Sequence, residues 1–165
     1  MFESLKAAKS ARFALSDMQG PSGKRGAQIW TCSILFYGAI VGSATGHEKD
    51  NTFVLVMHKG LQEQIAQSLK DHGFALDLSK TPSQSIRPDT TTNFLRLAIA
   101  QIADEMDMLD ELRKQLPNQT LVIHRSNPGR VVVYPIPFSP QIKADLLTQH
   151  GPELLEFLNE SVEGL

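Results

Sequence analysis

The hydrophobic and polar positions of this chain change their period several times, and each change predicts a new element. From residue 28 an alternation with the period of two of a β-strand is formed by Trp30, Cys32, Ile34 and Phe36. Gly38 or Gly42 then offers a turn, so we predict a hairpin. Residues 52–58, TFVLVMH, are β-branched and almost continuously apolar, which predicts a central strand covered on both faces.

Two segments have the 3.6-residue period of helices. In residues 61–72 the apolar face consists of Leu61, Ile65 and Leu69. We predict that Gly73 caps this helix in a left-handed conformation and that residues 74–78 form a further strand. Residues 93–115 predict the longest helix, which Pro117 ends.

The long helix carries an apolar stripe that steps by four and three residues. The stripe consists of Leu95, Ile99, Ile102, Met106 and Leu109. This spacing has two interpretations: a stripe that faces the core of a globular domain, or the interface of a homodimer.

The last third of the chain predicts a hairpin followed by helices. Residues 120–125 and 130–137 are apolar runs on either side of Pro128 and Gly129, which fit the centre of a type II turn. Ser139 and Pro140 are a cap and first-turn pair that begins a helix reaching His150. We predict that residues 152–164 are also helical.

The N-terminal segment and one internal stretch define the expected organisation. Within residues 1–27 the pattern predicts a basic, weakly amphipathic helix over residues 2–16 and a mobile loop over residues 20–26. Residues 28–165 are predicted to form a single domain. Residues 79–92 form a long loop, the place for any further boundary. The predicted fold is α+β: a mainly antiparallel sheet of five or six strands, helices packed on one face, and a helical C-terminus.

Composition narrows the functional classes. The formal charge of −2 gives no general attraction to nucleic acid. The single cysteine excludes an intrachain disulfide, and together with the absence of a secretory signal pattern it favours a reducing, cytoplasmic location. Residues 27–46 are uncharged and resemble a membrane helix, but their polar residues, glycines and short apolar part favour the hairpin.

His58 and His124 are the only catalytic candidates that we single out. Each ends a β-rich run and precedes a basic residue. This similarity raises the hypothesis of a paired-histidine phosphoesterase, in which the histidines act as acid and base and hydroxyls hold the phosphate. Ser126 supplies such a hydroxyl after His124, whereas Gly60 takes its place after His58.

Other chemical sites have weaker patterns. A metal site would combine His47, Glu48, Asp50 and His58, but their spacing matches no known ligand pattern. Cys32 lies in an apolar strand, where burial makes a thiol inert. We therefore predict no metal, no cofactor and, as the first choice, no enzymatic activity.

Three charged groups are candidates for binding. The predicted last helix would display an acidic stripe of Glu153, Glu156, Glu160 and Glu163, suited to a basic partner. Arg125 and Arg130 would form a basic tip at the hairpin. Lys24 and Arg25 could touch phosphates nonspecifically, although their glycine-rich segment lacks the spacing of a phosphate-binding loop.

We therefore expect a non-enzymatic protein-binding domain of the adaptor, chaperone or inhibitor type. It would act through a helical surface, with a protein partner and a possible homodimer. One alternative is a small enzyme that uses His58 and His124 on a phosphorylated or small-molecule substrate. Another is weak nucleic-acid binding through the basic N-terminus, which the overall charge does not favour.

Overall fold

The chain folds as two compact units, Met1–Asp107 and Met108–Leu165. The computed structural model of the protein describes residues 1–20, 29–47, 52–80, 87–163 and 165. Lys24, Arg25, Glu48 and Asp50 lie outside these residues, so the basic loop and the histidine–carboxylate ligand set stay predictions. The division near residue 107 coincides neither with the boundary predicted at residue 27 nor with the loop at 79–92.

The first unit is an antiparallel sheet covered by helices. Its elements are α1 (Glu3–Ser10), β1 (Phe13–Gln19), β2 (Ile29–Phe36), β3 (Ala39–His47), β4 (Thr52–Met57), α2 (Lys59–Asp71), a 3-10 turn (Leu78–Lys80) and α3 (Thr91–Gln115), whose last residues belong to the second unit. The strands are hydrogen-bonded in the order β1-β2-β3-β4. The predicted hairpin at residues 28–46 is thus confirmed.

Every helix of the first unit contributes to one core on one face of this sheet. The buried residues come from all three helices and from β1, β2 and β3, with half-buried β4 residues packed against them. Leu95, Ile99 and Ile102 of the long helix are completely buried here. The indole of Trp30 lies so close to Gly46 that a Cβ at residue 46 would overlap it, and Trp30 meets Phe53 edge-on at 5.4 Å.

The Gln101 side chain of α3 replaces one predicted strand of this unit, and the predicted cap at Gly73 is confirmed. The strand predicted at 74–78 is absent: Gln101 Oε1 accepts a hydrogen bond from Asp77 N at 2.9 Å, and Gln101 Nε2 donates to Ala75 O at 3.3 Å. Gly73 does adopt the predicted left-handed conformation, with φ +82°. Phe74 N then donates to Leu69 O at 2.9 Å, which ends α2.

The predicted N-terminal helix is too long, because α1 ends at Ser10 and the chain continues as β1. Phe13 and Leu15 alternate toward the core as strand residues do. Glu105 of α3 holds the start of α1: its Oε1 accepts from Ser4 Oγ at 2.8 Å and its Oε2 from Leu5 N at 3.0 Å.

The second unit is a smaller three-stranded antiparallel sheet. Its elements are β5 (Thr120–His124), β6 (Asn127–Tyr134), α4 (Pro140–His150), a 3-10 turn (Gly151–Glu153), β7 (Leu154–Phe157) and α5 (Leu158–Ser161). The strand order is β6-β5-β7, with buried β5 in the centre. Asn159 of α5 fixes β5, since its Oδ1 accepts from Leu121 N at 2.8 Å.

The single sheet of five or six strands that the sequence predicts is therefore wrong: seven described strands form two antiparallel sheets of four and three. The α+β class is confirmed. The predicted helix over residues 152–164 is replaced by β7 and the single turn of α5, because Leu154 and Phe157 bury themselves beside β5. Ser139 caps α4 as predicted, accepting from Ile142 N at 3.2 Å.

Candidate functional site

Among the described residues, the core of the first unit covers one face of its sheet, and β4 is one of the two edge strands. Residues directly opposite each other on neighbouring antiparallel strands share a face. On the face away from the helices the strand register brings together Ala14, Ser16, Gln19, Thr31, Ser33, Leu35, Ile40, Ser43, Thr45, Val54 and Val56. None of these paired positions carries a charge. One charge lies beside them, since the Asp17 carboxylate in the irregular part of β1 accepts a hydrogen bond from Ser16 Oγ at 3.0 Å.

β4 is the edge of this sheet rather than the central strand that its apolar sequence predicts. Among the described residues it pairs only with β3, in an uninterrupted register from Gly42↔Met57 to His47↔Thr52. Val54 and Val56 are 55% and 61% exposed. Natural sheet edges are usually protected by charge, proline or a bulge, and the TFVLVM sequence of β4 contains none of these.

His58, directly after β4, has a structural role at the start of α2. Its Nδ1 accepts a hydrogen bond from Gly60 N at 3.2 Å, so the imidazole is the N-cap of α2. His58 belongs to the first unit and His124 to the second. The paired-histidine hypothesis stays a prediction, and one of its two members already has a structural role.

The apolar stripe of α3 follows its core-facing interpretation. Leu95, Ile99 and Ile102 are buried in the core of the first unit, and half-buried Met106 packs against that core. Leu109 is buried as well and belongs to the second unit. A homodimer through this stripe stays a prediction, and Met106 is the one stripe residue that keeps accessible apolar surface.

The acidic stripe does not form as predicted, because its members lie on different elements. Glu153 is in a 3-10 turn and Glu156 lies in β7 opposite Ile123. Glu160 is in α5, where it forms an ion pair with Lys143 at 2.7 Å, and Glu163 follows the end of α5. With no common helical face, these glutamates lose the geometry that suggested a basic partner.

The hairpin of the second unit contains a pocket of about 530 Å³. Its lining consists of His124, Ser126, Asn127, Arg130, Val131, Val132 and Val133. The structure thus brings His124, Ser126 and Arg130 together from the predicted candidates, whereas Arg125 does not line the pocket. The sequence did not indicate Asn127 or the valines, because the Asn-Pro-Gly run was assigned to the turn.

The hairpin turn itself lies earlier than predicted. His124 pairs with Asn127, so Arg125 and Ser126 form the turn, and Pro128 and Gly129 belong to an irregular part of β6. The His124 ring contacts the His150 ring edge-on, with 5.7 Å between the ring centroids. The Nε2 atom of His124 is buried and has no hydrogen-bond partner in the part of the chain that the structure describes.

Cys32 is buried in the core of the first unit, and this burial raises the pKa of its thiol from an ordinary 9.0 to about 11. A shift of this size leaves about 100-fold less of the reactive thiolate at neutral pH. We expect iodoacetamide to alkylate the native protein at least about 100-fold more slowly than the urea-unfolded chain at the same pH. Mass spectrometry measures both rates, and equal rates would contradict the buried position.

The described residues hold no group of three or more histidine, cysteine, aspartate or glutamate side chains arranged for a metal ion. Within the same residues, no helix combines the length and the apolar character needed to cross a membrane. Comparison of the whole chain with the known protein families, with curated proteins and with solved structures finds no match.

Proposed function

We propose that the first unit is a protein-binding module that receives an extended segment of a partner protein as an additional strand beside β4. The unprotected β4 edge, with Val54 and Val56 exposed beside it, is the observation that carries this proposal. The surface is a sheet edge, in place of the helical surface that the sequence suggested.

The edge supplies backbone hydrogen bonds as well as side-chain contacts. Along an edge strand, every second residue directs both its N–H and its C=O away from the sheet. Three of the six residues of β4 therefore offer one donor and one acceptor each. A full complement of six hydrogen bonds contributes roughly 3–9 kcal/mol before the cost of association is subtracted. After at least about 4 kcal/mol is subtracted for association, backbone pairing alone corresponds to a dissociation constant of roughly 0.2 mM or weaker, so tighter binding requires side-chain contacts.

Side chains define the chemistry of the partner. On the open face the added strand lies beside Val54 and Val56, and on the core face beside half-buried Phe53, Leu55 and Met57. Both faces at the edge are apolar and uncharged. The fitting partner is therefore an uncharged segment, rich in β-branched and apolar residues, that is extended when bound.

Selection from a random peptide display library tests this proposal. We expect the enriched peptides to be β-branched and apolar, and to bind Val56→Lys at least about 10-fold more weakly than the native protein, because a lysine disfavours addition at an edge. Leu147→Lys on α4 is the matched control: Leu147 is also an exposed apolar residue, but it lies in the second unit.

N-methylation of the peptide backbone separates strand addition from ordinary hydrophobic binding. Because alternate residues of an added strand direct their N–H groups toward β4, methylation in one register should abolish binding, and methylation in the other should preserve it. Equal effects in both registers would contradict strand addition. A dimer in light scattering that Val56→Lys dissociates would show that a second copy occupies the edge, which would also contradict the proposal.

A further inference from the structure

In the second unit, a shift of strand register lies beside the pocket of the β5–β6 hairpin. The β5–β6 register passes from Ile123↔Val131 to His124↔Asn127, so residues 128–130 are left outside the ladder. On the other side of β5, the register with β7 shifts between the same two residues. Bulges of this kind re-aim side chains and are common beside functional sites.

The consequence is a cluster of polar side chains at one point. The pocket receives His124 from the central strand, Ser126 from the turn, Asn127 from the start of β6, and Arg130 from the displaced stretch. The sequence separation is small, yet in a regular hairpin these residues would alternate between the two faces. The irregular register allows them to line a single pocket.

The positive charge of Arg130 favours an anionic ligand in this pocket. Arg130 forms no ion pair with any residue that the structure describes, and none of the lining residues is acidic. A guanidinium offers paired donors that match the oxygens of a phosphate or carboxylate. The hydroxyl of Ser126 and the amide of Asn127 add neutral donors. A metal cation is disfavoured because the pocket presents no carboxylate ligand.

We propose that this pocket binds the oxyanion of a small organic molecule, with Arg130 as the principal anion-binding residue and His124, Ser126 and Asn127 as hydrogen-bonding partners. The volume of about 530 Å³ lies within the usual range for small-molecule sites and exceeds what inorganic phosphate needs. Val131 and Val133, which share one face of β6 because alternate strand residues do, provide apolar surface for the organic part. The proposal concerns a different unit from β4 and does not depend on strand addition.

Titration of the ¹⁵N-labelled protein with phenyl phosphate, benzoate and inorganic phosphate tests the pocket by amide chemical shifts. We expect shifts confined to the segment 124–133 and affinities in the millimolar range, with phenyl phosphate or benzoate tighter than inorganic phosphate because the ring contacts the valines. The order of the two aromatic probes shows whether the site prefers phosphate or carboxylate.

Arg130→Gln and Arg125→Gln form a matched pair, because both arginines are exposed residues of the same hairpin and only Arg130 lines the pocket. We expect Arg130→Gln to weaken phenyl phosphate binding by about 10-fold to 100-fold, and Arg125→Gln to change it less than about 3-fold. Equal losses in the two variants would reveal nonspecific attraction and overturn the proposal. Absence of shifts at millimolar probe, or shifts spread over the chain, would also overturn it.

Discussion

The Ile102→Glu variant is expected to lose the folded structure of the first unit. Ile102 is 0% exposed and lies in the same core as Leu95 and Ile99. A carboxylate placed there has no cationic partner in the apolar cluster, so the free energy of unfolding should fall by more than about 4 kcal/mol. Urea unfolding followed by far-ultraviolet circular dichroism measures the change.

Met108→Glu is the matched control on the same helix, because Met108 is 46% exposed. Its effect on the free energy of unfolding should stay within about 0.5 kcal/mol. The pair also tests the homodimer hypothesis for α3. A dimeric native protein that becomes a well-folded monomer with Ile102→Glu would place the stripe in an interface and contradict the core position.

The second large effect is expected for Glu105→Ala. The Glu105 carboxylate accepts hydrogen bonds from Ser4 Oγ and Leu5 N, and so joins α3 to the first turn of α1. Its removal leaves a buried hydroxyl and a half-buried amide without their acceptor. Since hydrogen bonds to charged groups contribute about 1.5–3 kcal/mol each, we expect the loss of two to lower the free energy of unfolding by about 3–6 kcal/mol.

Glu111→Ala controls for the removal of a carboxylate from α3. Glu111 forms an exposed pair with Lys114 at 2.6 Å, and such solvent-screened pairs contribute little to stability, so this variant should unfold much like the native protein. A double-mutant cycle of Ser4→Ala and Glu105→Ala should show a coupling of about 0.5–3 kcal/mol. Additive effects of the two substitutions would show that the Ser4 hydrogen bond does not stabilise the fold.

Local periodicity was sufficient to predict most of the elements. The helix around Ile65, the long helix and its core-facing stripe, and the hairpin around Gly38 follow from side chains that are neighbours in sequence. The caps at Gly73 and Ser139 were also predicted, because each depends on a single residue and its immediate surroundings. Such features require no knowledge of distant contacts.

The errors concern contacts between distant parts of the chain. Residues 152–164 have leucines at helical spacing. Residues 154–157 nevertheless form a strand, because Leu154 and Phe157 pair with β5 and are buried there. Residues 74–78 resemble a strand, but the Gln101 side chain takes the backbone groups that strand pairing would use. An amphipathic pattern does not reveal which distant group satisfies the backbone.

The candidate sites were predicted only in part for the same reason. The apolar run of β4 is compatible with a central strand and with an edge, and only the strand order distinguishes them. His124 and Arg130 were singled out individually, but their common pocket depends on the register shift after Ile123. Nothing in the residue types alone locates a shift of register.

The position of Trp30 against Gly46 gives the protein a built-in optical label for one of its units. Trp30 is the only tryptophan of the chain, and it packs within the first unit. Its fluorescence emission therefore reports whether that unit is folded, and contains no signal from an indole in the second. An unfolding transition that changes the far-ultraviolet circular dichroism but leaves the emission maximum unchanged belongs to the second unit. Separate melting of the two units is therefore measurable without any added dye.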